Sequence, residues 1–270
     1  MRKIELLFDN IENVSMSHGT KAETLRRLSE HGIDVPDAIF VDVRYFLEAY
    51  QINGMLPFYG NENYQNISMP EIQLNLDAYS FGDEPVVVRS SIVPIGEYDD
   101  DFASAISGAY DSIIATNRKE LEEAILGVWQ SAFSQQAYSQ LHLFTDRYKI
   151  QGMGIIIQRY VSPMISGLFH SSGKDCFDVN WIYGHLSELV SGKKRGNQIT
   201  CYENAEGDCI LAGVEDSIIQ ILDGDLTDVF QRLTKQAILL KELFKFDIEV
   251  EWLMDNNSGR IWFVQSQKLI

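Results

Sequence analysis

The residues that could do chemistry in this chain are four polar side chains: Glu251 and Gln265 near its end, and Lys21 and Arg89 in its first third. Phe246–Asp255 and Arg260–Gln267 each alternate apolar and polar residues around the cluster Asn256-Asn-Ser-Gly259, which predicts a β-hairpin. Side chains alternate faces along a strand, so Glu249, Glu251 and Leu253 share one face and Ile248, Val250, Trp252 and Met254 the other. A glutamate and a glutamine side by side offer hard oxygen ligands suited to Mg²⁺, which keeps waters and takes further ligands from phosphates. Register decides whether they meet. A loop of three or five residues puts Glu251 and Gln265 on one face, and a loop of four puts them on opposite faces. The alternative for this stretch is an amphipathic edge hairpin with its polar face in water.

The two cations sit in contexts of their own. In Ser17–Gly32, Ala22, Leu25 and Leu28 recur at helical spacing and Gly32 is a C-cap, which places Lys21 in the first turn of a helix. A Gly-x-Lys there can hold a phosphate, because free backbone N–H groups and the positive end of the dipole converge with the ammonium; a solvated lysine is the plainer reading. Arg89 ends the apolar run Glu84–Ser91. A charge at the mouth of such a strand either pairs with a carboxylate or binds a ligand, since burying it alone is costly.

Composition narrows the classes. With 270 residues, 45% of them hydrophobic, the chain is long enough for one large domain or two lobes with a real core. No run approaches the roughly 18 apolar residues of a membrane helix, and Met1-Arg-Lys-Ile-Glu5 lacks the apolar core of a signal peptide, so the expected address is cytoplasmic. Cys176, Cys201 and Cys209 are odd in number and lack Cys-x-x-Cys spacing, which suggests reduced thiols rather than disulfides or zinc. A net charge of −17 argues against non-specific binding to nucleic acid or anionic membranes. If the ligand is an anion, the cations near it must be placed one by one.

The elements that must position these residues follow in order. Gly32–Val43 reads as turn then strand, Tyr45–Tyr50 as a helix, and residues 51–82 as loop with a short segment near Glu71–Leu76. Acidic residues 97–101 read as a solvated run. The small residues of Ala103–Asp111, Gly108 among them, suit either a loop closing over a ligand or a tight turn. Glu120–Phe133 carries a stripe of Leu121, Ala124, Ile125, Val128, Trp129 and Ala132 and predicts a helix that continues through Tyr138. Gly154–Val161 is a strand. Gly196–Leu211 reads as a hairpin and Asp225–Phe246 as a helix, and Lys193-Lys-Arg195 is the only basic cluster, read as exposed. Strand and helix alternate in two halves, 1–150 and 151–270, an α+β pattern with a cleft between lobes.

Taken in order, these segments resemble the ATP-grasp nucleotide-binding domain of the phosphoenolpyruvate synthase, pyruvate phosphate dikinase and rifampicin phosphotransferase family. Gly19-Thr-Lys-Ala-Glu-Thr-Leu25 is similar to the family's Gly-Gly-Lys-x-x-x-Leu, Gly32-Ile-Asp-Val-Pro36 to its Gly-x-x-Val-Pro, and Val87-Val-Arg-Ser-Ser91 to its Val-Arg-Ser-Ser. The likeness continues through Ser107–Ser112, Trp129–Ser134, Ile157–Val161, Ser166-Gly167, Ser187–Gly192, Ile248–Trp252 and Val264–Gln267. It implies a two-lobed ATP-grasp fold with ATP and Mg²⁺ as ligands. By position it implies that Lys21 and Arg89 contact the phosphates and that Gly108 lies in a loop over the nucleotide. Gln158, Tyr160 and Val161 would belong to a hinge that reads adenine, Glu188 would face the ribose or the entrance, and Glu251 and Gln265 would hold Mg²⁺.

There are departures from the family pattern. Thr20 replaces the second glycine before the lysine. Gln265-Ser-Gln-Lys268 stands for Gln-Ala-Arg-Pro, so Gln267 takes the place of an arginine expected at the phosphates. The family continues into a swivelling domain with a phosphorylated histidine and an acceptor domain, which do not follow Ile270. None of His18, His31, His142, His170 and His185 sits in that carrier's context, and structural imidazoles are the plainer reading. The expectation is a stand-alone phosphotransferase subunit that binds Mg-ATP and passes a phosphoryl or pyrophosphoryl group to a histidine on a partner protein or to a small acceptor. The alternatives are a catalytically inactive nucleotide-binding regulatory module and, with less support from the motifs, a carboxylate–amine ligase.

Overall fold

The computed structural model describes residues 5–6, 17–50, 84–94, 110–142, 150–171, 176–190, 192–203, 209–212, 224–244 and 248–268. The expectations for 51–82, for the acidic run at 97–101 and for Gly108 lie outside these residues. Two compact units result: Met1–Arg27 with Pro36–Tyr160, and Leu28–Val35 with Val161–Ile270. Among the described residues no helix is long and apolar enough to cross a membrane.

The first unit is built on an antiparallel five-stranded sheet. Its strands are β1 (Glu5–Leu6), β2 (Ala38–Val41), β3 (Val86–Pro94), β4 (Ser112–Ala115) and β5 (Ile150–Arg159), in the order β1-β2-β5-β3-β4. One face is the core. Ile39, Val41, Val86, Val88, Ile155 and Ile157 pack there against Phe46 of α2 (Val43–Ala49) and Ile125, Val128 and Trp129 of α3 (Arg118–Ser131). Helix α3 is capped as its sequence prescribes: Glu120 N donates to the Asn117 side chain at 3.0 Å, and the Glu120 carboxylate accepts from Thr116 N at 2.8 Å. The predicted continuation through Tyr138 does not occur. Ala132 N, Phe133 N and Ser134 N bond three residues back, the tight turns of a helix end, and Ser134 Oγ then accepts from Ala137 N to start α4 (Gln135–His142).

The other face of this sheet carries Val87, Arg89 and Ser91 of β3 and, opposite them on β5, Gln158, Ile156 and Gly154. Helix α1 (Thr20–Glu30) begins over this face. Ala22 N, one of the first-turn donors with no partner inside a helix, bonds Ser91 Oγ at 3.2 Å. The approach is close: a Cβ on Gly154 would lie 2.6 Å from His18 O, and one on Gly19, already at φ +92°, would lie 2.5 Å from Ser91 Oγ. Sequence placed Arg89 at the end of its strand, but β3 pairs with β5 well beyond it, so Arg89 sits in mid-strand between Ile156 and Ser112.

The second unit holds a six-stranded antiparallel sheet in the order β11-β10-β6-β7-β8-β9. Its strands are β6 (Pro163–Ser171), β7 (Cys176–Tyr183), β8 (Asn197–Glu203), β9 (Cys209–Ala212), β10 (Ile248–Asp255) and β11 (Ile261–Lys268); the short helix α5 is Leu186–Val190 and α6 is Gly224–Phe244. Trp252 and Trp181 on one face pack on Phe230 of α6, with ring centroids 6.4 and 5.6 Å away. Gly167 permits this: a Cβ there would lie 2.4 Å from Asn180 O and 3.0 Å from the Trp252 ring. The Asp34 carboxylate receives the Arg260 guanidinium, which lies 4.2 Å over the Trp262 ring, and Asp34 O accepts from Phe263 N.

Two substitutions test this description by chemical denaturation. Ser91→Ala strands the Ala22 amide and is expected to cost about 1 kcal/mol. Gly167→Ala forces the Trp252 and Trp181 layer apart and is expected to cost about 1–3 kcal/mol. Unchanged stability in either variant contradicts the contact concerned.

Candidate functional site

In the first unit the sheet face under α1 gathers the residues singled out by sequence. Lys21 lies in the first turn of α1, and the bond from Ala22 N to Ser91 Oγ ties that turn to β3. Arg89 stands two residues before Ser91 and so points to the same side of the sheet. Gln158 pairs in register with Val87 on that side. It is 1% exposed, and its Nε2 has no hydrogen-bond partner among the described residues. A buried amide donor left in this way costs about 1–3 kcal/mol unless a ligand or water accepts from it. An ammonium, a guanidinium and an unsatisfied amide are a donor set for a polyanion that also carries a hydrogen-bonding group.

The expected hinge is partly committed elsewhere. Tyr160 N donates to Pro85 O at 2.9 Å. Val161 is buried and belongs to the second unit.

In the second unit, the hairpin settles the register question in an unexpected way. Asp255 N donates to Arg260 O at 2.9 Å, which closes a four-residue loop, Asn256–Gly259. Near the loop Met254 faces Ile261 and Trp252 faces Phe263, a register that would send Glu251 and Gln265 to opposite faces. Between Glu251 and Trp252 the register shifts, leaving Val264 as an extra residue in β11. Beyond this bulge Glu251 stands directly opposite Gln265, and Glu249 opposite Gln267. Cross-strand partners have Cβ atoms about 4.5–5.5 Å apart, a spacing at which two side-chain oxygens can share one cation. Gln265 is 6% exposed and Glu251 half-buried.

The same face continues across the sheet. Glu249 faces His170 of β6, His170 faces Asp178 of β7, and Asp178 faces Thr200 of β8. His170 Nε2 lies 3.4 Å from Glu249 Oε2, and Thr200 Oγ1 donates to Asp178 Oδ1 at 2.7 Å. Sequence reading missed this row, although the spacing of Glu249 and His170 in amphipathic strands was a signal for it.

Glu188 is not brought to the hairpin. It lies on α5, which packs on β6 and β7, and its carboxylate accepts from Lys194 Nζ at 2.5 Å while Lys194 N donates to Glu188 O. The Lys194 hydrogen bond is the main cause that holds its carboxyl below the usual range, with Lys194, His185 and Lys193 charges adding to it. Among the described residues no three His, Cys, Asp or Glu side chains are arranged to hold a metal ion by themselves.

The sequence was compared with known proteins. It matches the model of the pyruvate phosphate dikinase AMP/ATP-binding domain over residues 70–269. A comparison with curated proteins gave no match. Among solved structures, D-alanine–D-alanine ligase from Bacillus anthracis in complex with ATP is similar at 13% identity and a TM-score of 0.42, over 95% of this chain and 55% of that one. VanG D-Ala:D-Ser ligase from Enterococcus faecalis is similar at 12% identity and a TM-score of 0.41, over 92% of this chain and 51% of that one. N5-carboxyaminoimidazole ribonucleotide synthetase from Thermotoga maritima is similar at 11% and 0.33, over 92% and 40%. The chain thus spans about half the length of these structures or less. With three quarters of its length under one family model and an α+β fold of two antiparallel sheets, the chain belongs to the AMP/ATP-binding domain family of pyruvate phosphate dikinase, the ATP-grasp family that its motifs resembled.

Proposed function

We propose that the chain binds ATP together with Mg²⁺ and transfers a phosphoryl or pyrophosphoryl group, to a histidine on a partner protein or to a small acceptor. The observation that carries this reading is the bulge that turns Gln265 onto the face of Glu251, in a chain of an AMP/ATP-binding family. A carboxylate and an amide oxygen across one ladder suit Mg²⁺, which completes its shell with waters and phosphate oxygens. Mg²⁺ supplies the neutralisation of charge that builds on the phosphates during transfer. The residues present fit these ligands: the donor set is hard oxygen, and in the other unit Lys21, Arg89 and the unsatisfied Gln158 amide share one sheet face.

Each side chain then has one task. Lys21 and Arg89 hold phosphate oxygens, the lysine as a point charge at a helix start and the arginine through its planar fork. Gln158 Nε2 donates to the adenine, and Glu251 and Gln265 keep the metal on the phosphate chain. Glu188 Oε2 is held by Lys194, and its second carboxylate oxygen is the one to accept from a ribose hydroxyl. Gln267 in place of a family arginine removes one cation and leaves more of the charge to the metal. The chain works in the cytoplasm in this reading.

Calorimetric titration with ATP, with and without Mg²⁺, tests the proposal. Binding should tighten with Mg²⁺ in the wild type and lose that dependence in Glu251→Gln. Lys21→Ala and Arg89→Ala should each weaken binding roughly ten- to a hundred-fold, as loss of a hydrogen bond to a charged group does. No binding under either condition refutes the proposal. Binding without ADP or AMP formation would leave a regulatory module in its place.

A further inference from the structure

We propose that Lys194 is a positioning residue for the nucleotide: it fixes Oε2 of Glu188 so that Oε1 is held ready to accept from a ribose hydroxyl, which makes the chain select ribonucleotides over deoxyribonucleotides. The inference rests on the proposed contact of Glu188 with the ribose and adds the group that sets it.

The contact is built by the backbone. Helix α5 gives way to a turn at Gly192, whose N–H donates to Leu189 O at 3.0 Å and whose φ of +69° suits glycine. The chain then doubles back, and Lys194 N donates to Glu188 O at 2.9 Å. Gly196 keeps the turn against the helix, since a Cβ there would lie 2.6 Å from Leu189 Cδ1. Lys194 is thereby placed beside Glu188 before its side chain makes any bond, and its Nζ donates to Glu188 Oε2 at 2.5 Å. The two side chains are 54% and 38% exposed, and an ion pair so exposed adds little stability. What it sets is direction.

Glu188 has two carboxylate oxygens and one is committed. Oε2 takes Lys194, and Oε1 has no hydrogen-bond partner among the described residues. An ionised carboxylate only accepts, so Oε1 can meet a hydroxyl, and a deoxy position offers it nothing. The Lys194 bond is also the main cause that holds this carboxyl below its usual range, which keeps the acceptor ionised. Without Lys194 an exposed glutamate turns among its rotamers, and ordering it on binding costs affinity.

Charge gives the lysine a second use. In a chain of net charge −17, a bare carboxylate beside a triphosphate repels it, and an ammonium on that carboxylate offsets the repulsion. Lys194 lies past Ser187–Gly192, the run that resembles the family, so the family pattern does not supply it. Its exposed neighbour Lys193 acts on Glu188 through charge and makes no bond to it. Two plainer roles for Lys194 give different outcomes: a surface pair without consequence, and a brace for the turn.

Calorimetric titration of the full chain with Mg²⁺ and, in turn, ATP, 2′-deoxy-ATP and 3′-deoxy-ATP tests this. The wild type should bind ATP roughly tenfold tighter than the analogue that lacks the hydroxyl Glu188 accepts from, the scale of one hydrogen bond to a charged acceptor. Lys194→Met should cut that preference to within about threefold, while affinity for the same analogue stays within about twofold of wild type. Glu188→Ala should remove the preference, and adding Lys194→Met to it should change nothing further. Lys193→Met should leave the preference unchanged. Full preference retained in Lys194→Met marks a surface pair, and equal weakening for all three nucleotides marks a brace; either result overturns the inference, as does loss of the preference in Lys193→Met. A wild type without preference, or a preference that survives Glu188→Ala, overturns it together with the ribose task of Glu188 and leaves the phosphate and metal assignments standing. Absence of ATP binding overturns both the inference and the proposed function.

Discussion

A single extra residue in β11 determines which side chains of the closing hairpin face each other. With a four-residue loop and a regular ladder, Gln265 would turn into the layer that packs on α6, where an amide among Trp252, Trp181 and Phe230 would lose its hydrogen bonds. Val264 absorbs the mismatch. Beyond it Gln265 joins Glu251, and Gln267 comes into register with Glu249. The face of the second sheet that carries Glu251 thus also carries Glu249, His170 and Gln265, and the opposite face packs Trp252 and Trp181 on α6. The site depends on the bulge, and the bulge depends on that aromatic layer.

The first unit solves a different problem, the placement of two cations in a chain with net charge −17. Close backbone approach is part of how it does so. Glycines at 19 and 154 let the start of α1 approach the sheet, and Ser91 Oγ satisfies an amide that the helix cannot. Lys21 follows from the helix start and Arg89 from the strand that carries Ser91, so one side-chain bond registers both. Replacing a helix cap with a bond from a residue 69 positions away also makes this geometry depend on the folded sheet.

Much of this was legible in the sequence, and the failures have identifiable causes. The hairpin, the stripe of α3 and the Gly32 cap followed from periodicity and turn chemistry, and Gly32 does adopt φ +75°. The bulge could not be read, because Ile261, Trp262, Phe263 and Val264 are all buried and apolar, so no alternation marks the extra residue. The helix break at Ala132 was marked by Ser134, an N-cap residue ahead of Gln135, and the apolar stripe outweighed it. The reach of β3 past Arg89 was hidden because Ser90 and Ser91 resemble a turn, although both belong to the ladder with β5. For contacts distant in sequence, such as His170 with Glu249, strand alternation shows only that each residue lies on a polar face; which residue it meets depends on the strand order of the sheet.

Manganese in place of magnesium tests the central claim most directly. On addition of Mn²⁺ with ATP, amide resonances in nuclear magnetic resonance spectra should broaden first at Glu251 and Gln265 and next at their neighbours on β10 and β11, and ATP should sharpen that selectivity. Broadening centred on other acidic segments, with the hairpin signals unchanged, would contradict the account.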